Sequence, residues 1–236
     1  MMPRILSALL LVAAAALAPA AGAAPPVAVK ASYDVYRNGL QIVIVHETFE
    51  KNGARYRIVH DSTPTGLFAL FVRTHVKGHS AGTVTPAGLR PEQFEYGRLD
   101  DASKNVSAEF DWNAALLRLT FDGRNETVPL PQDTQDRVSL MYQFMFLSPD
   151  KLGDLAFHMT NGKKVEPYRY QAIGDEQIST PIGRLNTLHL VKQREAGENT
   201  VEVWLAPAHH YLPVKVLIVE NDGARFEQVI KRLESK

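Results

Sequence analysis

Short runs rich in β-branched and aromatic residues, parted by turn-forming dipeptides roughly every ten residues, constrain this chain more than any other feature. "ASYDVYR", "LQIVIVHETFE", "ARYRIVHD", "NVSAEFDW" and "ALLRLTF" follow one another in this way, as strands of an antiparallel sheet do. Asn38-Gly39, Asn52-Gly53, Asn161-Gly162 and Asp222-Gly223 are placed to reverse the chain, because Asn, Asp and Gly tolerate the positive φ of tight hairpins. With two-residue turns, His46 faces Val59, His60 faces Val45, Glu220 faces Arg225 and Val219 faces Phe226. His46 and His60 then lie on opposite faces of the sheet. Strands alternating with helices are missing from the pattern, which argues against a doubly wound α/β fold. The expected fold class is mainly β.

One segment departs from this rhythm. In "DTQDRVSLMYQFMFLSP", Val138, Met141, Tyr142 and Met145 recur at helical spacing, and Leu140, Phe144 and Leu147 form a second apolar row. Asp133 with Asp136 resembles a capping pair, and Ser148-Pro149 is a stop. The spacing predicts one helix at about 134–147, apolar around most of its circumference and therefore buried on most sides. Its place is the concavity of a long curved antiparallel sheet. A pair of buried strands also suits the run, since short apolar stretches fit either structure.

The N-terminus reads as a signal peptide over residues 1–23. Arg4 supplies a positive start, Ile5 to Leu17 an apolar stretch too short to span a bilayer, and Ala21-Gly22-Ala23 a cleavage site. Residues 24–236 are expected to form a single exported β-rich domain. The sequence has no cysteine, so disulfides, thiolate metal sites and lipidation at a lipobox cysteine are excluded. No later stretch reaches the length of a transmembrane helix. Basic and acidic residues number 26 each, and loss of Arg4 with the signal leaves a slight acidic excess, which argues against nucleic acid as a partner. The expected location is the periplasm.

Gly78-His79-Ser80-Ala81-Gly82 matches G-x-S-x-G, the nucleophile elbow of serine hydrolases. An elbow requires a strand followed by a helix. After Ser80 come Thr83, Val84 and Thr85, which favour strand, and Pro86 and Pro91, which forbid the helix. His189, His209 and His210 follow in an order that could complete a triad, but the context makes the match a coincidence and Ser80 part of a strand with a bend or bulge. His75 and His79, four apart in extended chain, stand about 13 Å from each other, too far to share a metal. His209-His210 sits between Pro207 and Pro213, at a loop. Asp100-Asp101 lies in a polar loop and no carboxylate pair stands out for acid–base work. The type of signal points to a bacterial origin, with which the N-x-S/T matches at Asn105 and Asn125 are expected to be idle. No catalytic residue, metal ligand or cofactor is assigned.

"SAGTVTPAGLRPEQFEY", "FDWNAALLRLTF", "QDTQDRVSLMYQF" and "STPIGRLNTLHL" running on to "VEVWLAPAHHYLPVKVLI" together resemble the bacterial domain-of-unknown-function 3108 (DUF3108) family of exported proteins. The similarity spans about Ala31 to Leu233. In that family the Ser-x-Gly and Gly-Leu-x-Pro residues recur within a β segment. The resemblance implies no activity, cofactor or substrate. "VWLAPAHHYLPVKVLIVENDGARFEQVIKRL" is also similar to the C-terminal hairpins of periplasmic lipoprotein carriers. Those are half-open β-barrels wrapped around helices, with an apolar concavity for acyl chains, and this sequence offers one helix where they use several.

Two functions follow. One is a non-catalytic binder or carrier of an apolar or amphipathic envelope ligand such as a lipid, lipoprotein or glycolipid, with Met141, Tyr142, Phe144, Met145, Phe146 and Trp204 lining its cavity. These residues would equally serve as filled core. The other is a cell-envelope scaffold or interaction module working through a sheet edge or outer face, with no small ligand.

Overall fold

The protein is described here by a computed structural model covering residues 24–70 and 74–236; the expected signal segment, 1–23, lies outside the described residues. The first half of the chain forms β1 (Ala28–Arg37), β2 (Leu40–Asn52), β3 (Arg55–Pro64), β4 (Val76–Thr85), β5 (Gly88–Arg98), β6 (Val106–Asp111), β7 (Leu116–Phe121) and β8 (Arg124–Pro129). Then come β9 (Thr134–Asp136), α1 (Ser139–Gln143), β10 (Asp154–Thr160), β11 (Val165–Thr180), β12 (Gly183–Lys192), β13 (Thr200–Ala206), β14 (Leu212–Val219) and β15 (Arg225–Ser235). All fifteen belong to one sheet, in the order β8-β7-β6-β5-β4-β3-β2-β1-β15-β14-β13-β12-β11-β10-β9.

Two meanders therefore meet at the middle of the sheet, where β1 pairs with β15 over Val29↔Ser235 to Arg37↔Phe226. Every pairing is antiparallel except that of β9 with β10. Register shifts at Ser32/Tyr33, Val35/Tyr36, Ala81/Gly82, Ala172/Gly174 and Trp204/Leu205 mark bulges that bend the strands. The result is a long curved sheet that does not close. Its last strand, β9, instead packs against β5.

Three of the four turns differ in detail from the expectation. Asn38 and Gly39, at φ 49° and 82°, make the predicted two-residue turn between Arg37 and Leu40. At the next hairpin Asn52 pairs with Arg55, so Gly53-Ala54 turn the chain, His46 faces Asp61 and Glu47 faces His60. His46 and His60 remain on opposite faces. Asn161 to Lys164 form a four-residue loop, in which Asn161 Oδ1 accepts the backbone N–H groups of Lys163 and Lys164. At the last hairpin Val219 pairs with Arg225 and Ile218 with Phe226, a shift of one residue. Asp222 Oδ1 accepts from Ala224 N there, and the turn takes an extra residue with Gly223 at φ 85°.

The helix is shorter than the expected 134–147. Thr134–Asp136 pair as a strand with His158 to Thr160, α1 occupies only Ser139–Gln143, and a 3₁₀ turn over Phe144–Phe146 follows. Asp133 does not cap the helix; it stands at φ 60° in the turn before β9. Asp136 caps alone, its Oδ1 accepting the backbone N–H groups of Val138 and Ser139 at 2.8 Å each. The helical spacing of apolar residues is real, but its first turn is taken by sheet pairing.

Candidate functional site

On β4 the residues Gly78, Ser80 and Gly82 all point inward and are buried. This spacing of two explains the G-x-S-x-G match. A Cβ at Gly78 would meet the Tyr96 ring at 2.7 Å, and one at Gly82 would meet Pro91 Cα at 2.9 Å and the Arg90 carbonyl oxygen closer still. Ser80 is fully buried in mid-strand and donates to Asp136 Oδ2 at 2.6 Å, with Tyr56 Oη at 3.2 Å. It binds a carboxylate rather than a histidine, and it is not at a strand–helix elbow. Burial pushes the Asp136 carboxyl up to about 6, against the pull of the hydroxyl and amide donors around it.

A second buried acid, Glu47, points inward between Val45 and Phe49 on β2. It contacts His60 Nδ1 at 2.8 Å and accepts from Tyr142 Oη at 3.2 Å. Burial, with the Glu47 charge second, holds the Tyr142 phenol well above its usual range. The Tyr142 ring stacks on Phe49 at 5.3 Å, and Phe49 in turn meets Tyr56 and Phe146. The concavity of the sheet is thus packed with aromatic rings.

Of the residues proposed to line a cavity, Tyr142, Phe144 and Met145 are buried, while Met141 and Phe146 are half-buried. Phe144 joins Leu140, Leu152, Leu190, Val203 and Leu205 in one apolar cluster. Trp204 is buried in another apolar cluster, which also holds Tyr142 and Met145. It alternates with Val203 along β13 and shares a face with its cross-strand partners His189 and Lys215. There it stacks on His189 at 4.1 Å, donates from Nε1 to Glu176 at 2.7 Å, and lies under the Lys215 ammonium at 4.7 Å. His189 is held between Glu176 at 3.1 Å and Glu202 at 2.8 Å. Among the described residues no three His, Asp or Glu side chains converge as metal ligands.

The recess nearest the helix lies between it and β10. A slot of about 260 Å³ is lined by Leu140, Phe144, Leu147, Leu155 and Phe157 together with the polar Gln135, Gln143, Lys151 and Asp154. The two glutamines stitch this segment to the β4–β5 hairpin: Gln143 Oε1 accepts from Leu89 N at 2.6 Å, and Gln135 Nε2 donates to Leu89 O at 2.8 Å. At Asp133, Ala156 and Phe157 the slot shares its wall with an open trough of about 890 Å³. Tyr168, Lys192, Arg194 and Glu198 line that trough, with the Lys192 ammonium over the Tyr168 ring at 4.3 Å.

Sequence reading missed the buried acids, the glutamine stitches and the β10 wall of the slot. The alternation Val45, Glu47, Phe49 carried a signal for one of them, since a residue between two inward apolar neighbours on a strand points inward too.

The family described as "Protein of unknown function (DUF3108)" matches residues 32–229. No curated protein matches. A β-barrel-like protein of the domain of unknown function DUF1849 from Brucella abortus superimposes with a TM-score of 0.54 at 9% identity, covering 91% of this chain and 100% of its own. That likeness is one of fold. A candidate lipoprotein from Parabacteroides distasonis (10% identity) and a candidate exported protein with a YmcC-like fold from Bacteroides fragilis (12% identity) reach a TM-score of 0.39 each, over 89% of this chain and 97% of theirs. No helix among the described residues is long and apolar enough to cross a membrane.

Proposed function

The chain belongs to the DUF3108 family, and we propose that it is a non-catalytic periplasmic binder or carrier of an amphipathic envelope ligand. The observation that carries this reading is the adjacency of the slot beside α1 to the trough on β10–β12, which share Asp133, Ala156 and Phe157 in their walls and both combine apolar with charged side chains. Ligand sites combine an apolar wall with a few placed polar groups, and this recess has both. With Phe49, Tyr56 and Tyr142 packed together inside the sheet, the recess beside α1 is the site this reading assigns to the ligand. Phe144 is the one residue of the sequence-derived set that lines the slot. The Ser80 hydroxyl is buried and committed to Asp136, which argues against Ser80 as a nucleophile.

Native mass spectrometry of residues 24–236, purified from periplasm without detergent, tests the reading. The expected result is a discrete added mass that organic extraction removes and that returns on incubation with phospholipid vesicles. Bare protein under both conditions would overturn it.

A second reading, an envelope scaffold, draws on β8. This strand ends the sheet, is largely exposed and among the described residues pairs only with β7, so a partner's strand could extend it. A protein cross-linked through Arg124–Pro129 in cells, with no bound lipid, would favour that role.

A further inference from the structure

Among the described residues seven large apolar side chains are exposed, and four of them stand at one end of the sheet. The alternation of strand direction fixes which end. There β2 begins at Leu40, the chain passes from β3 to β4 through Gly66–Leu70, and β5 leaves at Arg98, one residue before Leu99. Leu40 is 56% exposed, Leu67 68%, Leu70 70% and Leu99 63%. Hydrogen bonds hold these segments side by side: Thr65 N donates to Ile42 O at 2.9 Å, Leu99 N to His75 O at 3.0 Å and Thr74 Oγ1 to Asp100 at 3.0 Å. The four leucines therefore form one rim across the ends of β2–β5. A lone exposed leucine is ordinary, but a cluster of them marks a contact site.

We infer that this rim docks the protein onto a phospholipid bilayer, with the leucines entering the acyl region and Arg37, Arg98 and Lys104 meeting headgroup phosphates. Two observations choose this occupant. Four leucine tips present roughly a few hundred Å², short of the about 800 Å² that each partner buries in a specific protein interface. A bilayer demands no matching surface and takes apolar tips singly. The charges beside the rim suit it as well. Asp61 is paired with Lys77 at 3.7 Å, Asp100 accepts from Thr74, and Asp101 accepts from Ser103. Arg37, the cross-strand partner of Leu40, is exposed, as are Arg98 and Lys104. Among the described residues none of these three cations has a carboxylate within ion-pair distance. Lys192 ends β12 at this same end of the sheet, so docking would bring the trough toward the headgroups. The docking itself stands whether or not slot or trough holds a ligand.

Flotation of residues 24–236 with vesicles tests the inference, using phosphatidylcholine alone and phosphatidylcholine mixed with phosphatidylglycerol. Wild type should float with both and bind the anionic mixture several-fold tighter. Leu67→Ser combined with Leu70→Ser should weaken binding to either vesicle by about a hundredfold, roughly tenfold for each leucine withdrawn. The chain has no cysteine, so a polarity-sensitive dye can be attached at single introduced sites. On vesicles its emission should shift to the blue at Leu70→Cys and stay unchanged at Ile173→Cys, which is exposed on β11 away from the rim. This labelled pair keeps the inference testable if the double variant does not fold. Failure of wild type to float with either vesicle would overturn it, as would flotation that the two serines leave unchanged or an equal shift at both dye sites. A reversible dimer that the serines abolish, without flotation, would assign the rim to a second copy of the chain and overturn the bilayer as occupant.

Discussion

At the scale of the residue, the G-x-S-x-G match is a packing pattern. Three inward positions of one strand must be small or polar because Tyr96, Asp136 and the backbone at Arg90–Pro91 fill the space in front of them. Gly82→Ala should cost about 1–3 kcal/mol, the usual toll of overpacking, since the obstruction is backbone. Gly78→Ala should cost less, because a ring edge can move. Urea midpoints of the two variants decide it, and an equal loss would refute the account. Asp136 adds a pH dependence whose sign is fixed by its raised value. A carboxyl at about 6 in the folded chain and 3.8 otherwise binds its proton more tightly when folded. Its contribution is fully present below the ordinary value and lost as the pH rises through about 6, up to about 3 kcal/mol. Asp136→Asn keeps an acceptor for Val138 and Ser139 and cannot titrate. The stability of wild type relative to this variant should therefore fall between pH 4 and 7; parallel curves would contradict the assignment. None of this was legible as chemistry in the sequence, because which strand faces which acid depends on pairing across 56 residues.

At the scale of the element, the local signals were legible and the competitions between them were not. Asn38-Gly39 alone bounds its turn because both residues hold positive φ, whereas Asp222-Gly223 yields to the extra residue that Asp222 Oδ1 and Ala224 N settle between them. Apolar spacing marked the buried segment at 134–147, yet could not reveal that Thr134–Asp136 would pair with β10 instead of coiling. Periodicity reports which side is buried, and sheet pairing decides the conformation. What holds this short segment in place is its stitching to the β4–β5 hairpin. Leu89 is buried and its N–H is met by Gln143 Oε1, while Gln143 Nε2 reaches Ala87 O. Gln143→Ala should leave that N–H unmet, at a cost of about 1–3 kcal/mol. Hydrogen exchange should speed up at Leu89 more than at the β1–β15 pairing. Uniform acceleration across the sheet would mean that the glutamine supports the whole fold rather than this one junction.

At the scale of the whole molecule, both ends of the described chain are structural. Val27 N donates to Lys236 O at 2.7 Å and Lys236 N to Ala28 O at 2.9 Å, at the seam where the two meanders join. The likeness to the DUF1849 protein over 91% of the chain concerns this same architecture. Each meander is built from neighbours in sequence, so its pairings close short loops, but the seam joins residues some two hundred positions apart. Loop-closure entropy grows slowly with length, so the seam is affordable only because β1 and β15 pair through nine residue pairs, from Val29↔Ser235 to Arg37↔Phe226. Joining Lys236 to Ala24 by a short Gly/Ser link and opening the exposed loop at Gly197-Glu198 keeps every one of these pairings. Such a permutant should show the wild-type far-UV spectrum and melt within about 5 °C of it, since permutation at exposed loops is well tolerated. Deleting residues 221–236 instead bares β1 and β14, whose inner edges carry apolar side chains such as Tyr33 and Val214. Unpaired apolar strands are templates for association, so this truncation should aggregate rather than melt cooperatively. A truncation that stayed monomeric and folded would show that the β1–β8 meander stands without the seam, and would place the stability of the protein in its halves.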